Sequence, residues 1–158
     1  MSNYLIENLS RKDILTVYPL VRLTMPEIGI GDWRRFAISA ISRRRGAAAG
    51  ILIARAQNQQ YICGMLTYRA VPDLALGRTL EISNMAALDI LHPRQVIIEL
   101  LRALGPLARL QNCRQVKIIV SETGTVPEDL SLALLEVEPA SIFESALNVS
   151  FSAPASSA

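Results

Sequence analysis

Histidine is almost absent from this sequence of 158 residues, and cysteine is scarce: His92 stands alone, and Cys63 and Cys113 lie far apart with no CxxC pair. A zinc framework is thereby excluded, since it needs clustered Cys and His ligands, and no metal is expected. Two isolated thiols fit a reducing, cytoplasmic setting, where they serve as small apolar fillers. Aromatic residues make up only 5%, and no tyrosine follows Tyr68. Base-stacking surfaces interleave aromatics with basic residues, so Arg43-Arg44-Arg45 reads as a solvated helix end and nucleic acid is not an expected partner. Long apolar runs are missing too, with none near the ~18 residues of a membrane span. The start offers only Tyr4-Leu5-Ile6 before charges resume, which makes no secretory leader. Phosphate-loop, dinucleotide, serine-hydrolase and zinc-protease signatures are all absent.

What is present describes an ordered domain. Apolar residues reach 51% and charged ones 19%, enough to enclose a core and too apolar for general disorder. Residues 1–152 read as one domain and 153–158 as a frayed small-residue tail. The net charge of +2 hides an asymmetry: residues 1–120 balance at +8, whereas 121–158 carry acids, no base and a balance of −6. A basic body with an acidic end is suited to an anionic ligand, to folding on itself, or to a partner.

Periodicity gives the element order. Residues 4–6 form a short strand. Ser10 and Asp13 open a helix carrying Ile14, Leu15, Tyr18 and Val21, which Pro19 should kink or break. Gly29-Ile30-Gly31 is a turn, and Asp32 caps a second helix with Trp33, Phe36, Ala37, Ala40 and Ile41 on one face. Residues 51–56 and 61–69 make a hairpin around a polar turn, 72–77 a loop, and 78–89 a third extended run. Val96, Ile97, Leu100, Leu101 and Leu104 stripe a long helix that Gly105-Pro106 interrupts. Residues 116–120 are a near-continuous apolar strand, of the kind found inside a sheet. Residues 127–135 and 139–147 read as helices and 148–152 as a last strand. The sum is a mixed α/β domain of the α+β type.

This order resembles the GNAT family of acyl-CoA-dependent N-acyltransferases over residues 4–152. The stretch that carries the resemblance best is Leu80-Glu81-Ile82-Ser83-Asn84-Met85-Ala86-Ala87-Leu88, then a helix, then Cys113-Arg114-Gln115-Val116-Lys117-Ile118-Ile119-Val120; Gly64 matches a small residue of the third strand. The resemblance implies a mostly antiparallel central sheet flanked by helices, with splayed fourth and fifth strands and acetyl-CoA as cosubstrate in the gap. It assigns Met85, Ala86, Ala87 and Leu88 to the pantetheine through backbone groups that a splayed strand leaves without ladder partners. It assigns the pyrophosphate to the start of the central helix, at Arg94, Gln95, Val96 and Ile97. There the sequence departs from the family's Q/R-x-x-G-x-G/A: neither glycine is present in Leu91-His92-Pro93-Arg94-Gln95-Val96-Ile97, and Pro93 deletes a donor.

The implied chemistry is transfer of an acyl group to a primary amine, on a small molecule or peptide, by direct attack. Glu81 occupies the family's base position, and pairing with Arg78, Arg69 or Arg55 is its structural alternative. His92 lies at the cofactor loop. The family's acid, a tyrosine in a Y-e-k-l-G-F pattern, is replaced here by Phe143, with Asn148 at the glycine, which leaves Tyr68 or Ser145 as substitutes. The acceptor site falls to 25–31 and 71–77, with Glu27 and Asp73 as its acids. The competing reading is a GNAT-like module that has lost CoA binding and acts by binding a partner or as a homodimer.

Overall fold

Runs of β-branched and apolar residues, buried on both faces, make the centre of the molecule a sheet. The computed structural model describes residues 3–42, 48–58, 61–75, 77–89, 92–121, 127–137 and 146–152. Six strands lie side by side in sequence order: β1 (Tyr4–Asn8), β2 (Ala49–Ala56), β3 (Ile62–Asp73), β4 (Gly77–Ala87), β5 (Gln115–Ser121) and β6 (Ala146–Ser152). The first four form an antiparallel meander. The β4–β5 and β5–β6 pairs are parallel, each joined by a helical crossover. The chain is thus a mixed, open α/β sheet, as the element order indicates.

Helices cover both faces. α1 (Ile14–Thr24) and α2 (Ile30–Ile41) pack on one face, where Val17, Leu20, Val21, Trp33 and Ala37 meet Ile51, Ile53 and Met65. α3 (Pro93–Leu110) and α4 (Pro127–Glu136) pack on the other, where the stripe from Val96 to Leu104 meets Leu52, Ala54, Leu66, Leu80 and Ile82. Trp33 is fully buried and its indole Nε1 donates to the Ile14 carbonyl at 2.7 Å, which pins α2 to the start of α1. No helix of the described residues is long and apolar enough to cross a membrane.

Five expectations are corrected. Pro19 lies inside an unbroken α1, and Pro106 inside an unbroken α3. Both prolines are exposed, so the carbonyls they leave unbonded, those of Leu15 and Arg102, are on helix faces that water reaches. Gly29 is the N-cap of α2, not part of a separate turn, and Asp32 sits in the first helical turn paired to Arg35. Ala146 and Leu147 belong to β6, since they pair with Gln115 and Val116. The arginine run at 43–45, the helix expected from 139, and Phe143 and Ser145 fall outside the described residues.

Gly64 fixes the distance between α3 and the sheet. A Cβ there would lie 2.5 Å from Val96 Cγ1 and 3.3 Å from Leu100 Cδ1. Gly31, exposed in α2, has nothing within 4 Å of such a Cβ. Gly64→Ala is therefore expected to destabilise the fold by roughly 1–3 kcal/mol through overpacking. Gly31→Ala should stabilise it by roughly 0.5–1 kcal/mol by restricting the unfolded chain. Urea melts of the two variants check the pair, and equal effects would contradict the packing argument.

Candidate functional site

The sheet opens between β4 and β5. These strands pair only over four residues each, Thr79–Ile82 against Gln115–Ile118. Beyond Ile82, β4 pairs with β3 alone, while β5 continues to Ser121 against β6. A bulge lies where the parting begins: Met65 faces Ala86 and Thr67 faces Ser83, so Asn84 and Met85 stand together opposite Leu66. Asn84 has φ 53°, in the left-handed region that Asn enters more readily than a branched residue. The fourth and fifth strands are splayed, as expected. Leu88 N–H donates to the Cys63 carbonyl at 2.7 Å, and strand alternation then turns the Ala87 N–H and C=O toward the open edge.

A cleft of about 410 Å³ adjoins the parting on the α2 face, lined by Phe36, Ser39 and Ala40 of α2, by Ile119 of β5 and by residues of β2, β3 and β4. Its polar floor is a small network. Thr67 Oγ1 lies 2.9 Å from Ser83 Oγ, and Asn84 Nδ2 donates to the same Thr67 oxygen at 3.1 Å. Glu81 stands beside it, with its side chain 21% exposed and Oε2 accepting from Arg69 Nη2 at 2.9 Å. Of the three arginines named as alternatives, Arg69 is the partner found; Arg55 instead bonds Glu7 and Asp13. Thr67, Ser83 and Asn84 were missed at the sequence level, although an Asn in the middle of an extended run is the signal that locates the bulge.

Glu81 and Tyr68 both line this cleft, and His92 does not. Tyr68 touches the same cleft, yet it pairs with Ile82, a residue of the α3-side core, whereas Glu81 pairs with Arg69 on the opposite face. The Tyr68 ring lies across Gly50, whose absent side chain leaves the space: a Cβ there would be 2.5 Å from the hydroxyl oxygen. Its hydroxyl therefore lies over β2. His92 is exposed at the N-cap of α3, next to a separate opening lined by Pro93, Arg94, Gln95, Ile98, Asp129 and Glu136. Asp73 accepts from the Ala75 amide in the β3–β4 turn and Glu27 is exposed, and neither lines the cleft.

The start of α3 differs from an open phosphate cradle. Val96 and Ile97 are core residues, 0% and 1% exposed. The Val96 amide donates to the His92 carbonyl at 3.4 Å, and Ile97 is deep enough for the helix's own ladder. The Arg94 and Gln95 amides are the ones left at the helix mouth. Arg94 Nη1 pairs with Glu136 Oε1 at 2.8 Å. Asp89 Oδ1 accepts from the His92 amide at 3.0 Å, and Tyr4 Oη donates to Asp89 Oδ2 at 2.6 Å. The Asp89 charge is felt nearby. Burial and then Asp89 push the Cys63 thiol up to about 11, and burial followed by the Asp89 bond raises the Tyr4 hydroxyl. Met85 and Ala86 are buried, while Leu88 is half exposed past the end of β4. The β4 edge thus suits an amide-bearing chain such as pantetheine; the helix mouth, with Pro93 and bound carboxylates, does not suit a pyrophosphate held by backbone amides.

No family model matches the sequence, and no curated protein matches it. Solved structures share its architecture. An aminoglycoside N-acetyltransferase in complex with CoA is 16% identical, with 98% of this chain and 97% of that chain covered at a TM-score of 0.67. A ribosomal-protein-alanine N-acetyltransferase from Brucella melitensis biovar Abortus 2308 is also 16% identical, with coverages of 85% and 90% and a TM-score of 0.62. A glucosamine-6-phosphate N-acetyltransferase from Arabidopsis thaliana is 12% identical, with coverages of 73% and 80% and a TM-score of 0.58. These structural neighbours are acetyltransferases, and the chain has the GNAT fold.

The bulge gives a direct test. Asn84→Gly keeps the left-handed backbone and loses one bond to Thr67, whereas Asn84→Val adds a β-branched side chain where φ is positive. The valine variant is expected to be less stable than the glycine variant by roughly 1–2 kcal/mol, measured by urea melts. Equal stabilities would mean that the bulge is not held by backbone conformation.

Proposed function

We propose that the chain is an N-acyltransferase that moves an acyl group from a thioester on a pantetheine arm, as in acetyl-CoA, to a primary amine by direct attack. The observation that carries this reading is the parting of β4 and β5 after Ile82 and Ile118, beside a cleft that holds one carboxylate. The unpaired edge of β4, with the Ala87 N–H and C=O, offers backbone bonds to pantetheine amides. An amide donor on that edge also polarises a thioester carbonyl laid along it. Glu81 takes the proton of the incoming ammonium, making a neutral nucleophile. The N–C bond then forms, the C–S bond breaks, and the thiolate leaves to be protonated by water. Thr67, Ser83 and Asn84 present hydroxyl and amide groups to the acceptor from the cleft floor. The acceptors carried in the neighbours' names, an aminoglycoside, a ribosomal-protein alanine and glucosamine 6-phosphate, are all amine-bearing, and the amine class is as far as the reading goes.

Thiol release during incubation with acetyl thioesters and a panel of primary amines tests it. Amine-dependent release is expected, and Glu81→Gln should lower kcat by roughly 100-fold or more with the fold intact, the ordinary size of a lost general base. An unchanged KM for the thioester in the variant would locate the loss in the chemical step. The carboxylates at the α3 mouth favour a second reading, a non-catalytic binding module. Absence of both turnover and thioester binding would establish that reading instead.

A further inference from the structure

The mouth of α3 carries the wrong charge for the nucleotide end of CoA. Two carboxylates line that opening, and a third is bonded to the backbone beside it. Asp89 is fixed on the His92 amide and held by Tyr4, and Asp129 and Glu136 of α4 line the opening at the first turn of α3. Among the described lining residues Arg94 is the one guanidinium, and Glu136 already engages it. The α4 side has no cation in reserve, because the sequence contains no Lys or Arg after Lys117. The helix itself contributes little. Pro93 has no N–H, and the Asp89 carboxylate occupies the positive end of the helix dipole with a charge that belongs to the protein. The basic excess of residues 1–120 therefore does not collect at this mouth. A pyrophosphate and a 3′-phosphate placed here would face these carboxylates, a repulsion that salt screens.

The open β4 edge, by contrast, has nothing that depends on charge. From this, and resting on the acyltransferase reading above, we infer that the donor is selected through its acyl-pantetheine arm and that the nucleotide end of CoA adds no affinity, so that the protein accepts pantetheine thioesters lacking the adenosine phosphates. Asp89, Asp129 and Glu136 are specificity residues in this account: their charge disfavours phosphate at the start of α3.

The experiment compares S-acetyl-pantetheine with acetyl-CoA at a fixed amine concentration. The kcat/KM values are expected to agree within about tenfold. For acetyl-CoA, KM should fall or stay level as salt is raised from about 50 mM to about 500 mM, the reverse of a phosphate clamp. Adenosine 3′,5′-bisphosphate should not compete. The isosteric pair Glu136→Gln and Asp129→Asn frees Arg94 and removes two charges, and should improve kcat/KM for acetyl-CoA by roughly three- to tenfold while leaving S-acetyl-pantetheine unchanged. A preference for acetyl-CoA beyond about 100-fold, or competition by the bisphosphate, overturns the inference and leaves the acyltransferase reading standing. Turnover with neither donor rejects that reading, and the inference with it.

Discussion

The two-residue bulge of β4 is the constraint on which the site depends. Without it, β4 would remain in register with β3 and straight beside β5, and the parallel ladder would continue past Ile82 and Ile118. One extra residue bends the strand and strengthens its twist, so the neighbouring edges part while each stays hydrogen-bonded on its outer side. Everything proposed about donor binding follows from the backbone groups exposed by that parting. The bulge also directs Ser83 and Asn84 toward Thr67, so the same kink that opens the edge builds the polar floor beside Glu81.

A second constraint couples α3 to the sheet. Val96 fills the hollow over Gly64, and Ile97, Leu100 and Leu101 continue the contact, so the first turns of α3 are given over to packing. A helix start used in this way cannot also bring bare backbone against a phosphate, because branched side chains and a tight hollow fix its height above the strands. The absence of glycine at positions 96 and 97 and the presence of glycine at position 64 are thus two sides of one arrangement. The small residue lies in the sheet, and the large one lies in the helix.

Much of the architecture was legible in the sequence, because it rests on periodicity that side chains display. The apolar runs of β2, β3 and β5 and the stripe of α3 gave element type and order, and the order carried the GNAT resemblance. The helices were less legible where backbone exposure decided the outcome: Pro19 and Pro106 are tolerated because their orphaned carbonyls face water, which a sequence does not state. The site was legible in part. Glu81 was placed beside the splay by position, and Arg69 was among its named partners. The position of the Tyr68 ring was not legible, because a single residue of parity decides which face of a sheet a side chain occupies and the bare Gly50 leaves room for the ring over β2. The pairing at the helix mouth was illegible for another reason. Arg94 looks available along the chain, and only the crossover that brings α4 over α3 sets Glu136 against it.

The bond between Tyr4 and Asp89 joins residues 85 apart in the chain. Closing so wide a loop costs more entropy than forming the β3–β4 hairpin or α3 itself, whose partners are neighbours in sequence. The turn that leads from the open strand edge into α3 is thus buttressed by the first strand of the chain, at the far side of the sheet. Assembly of the donor end of the site is in this way conditional on completion of the meander: a nascent chain can hold the hairpin and the helix before it holds the geometry between them. The shape of the mouth records the whole sheet having closed, which makes it a property of the finished domain and of no smaller fragment.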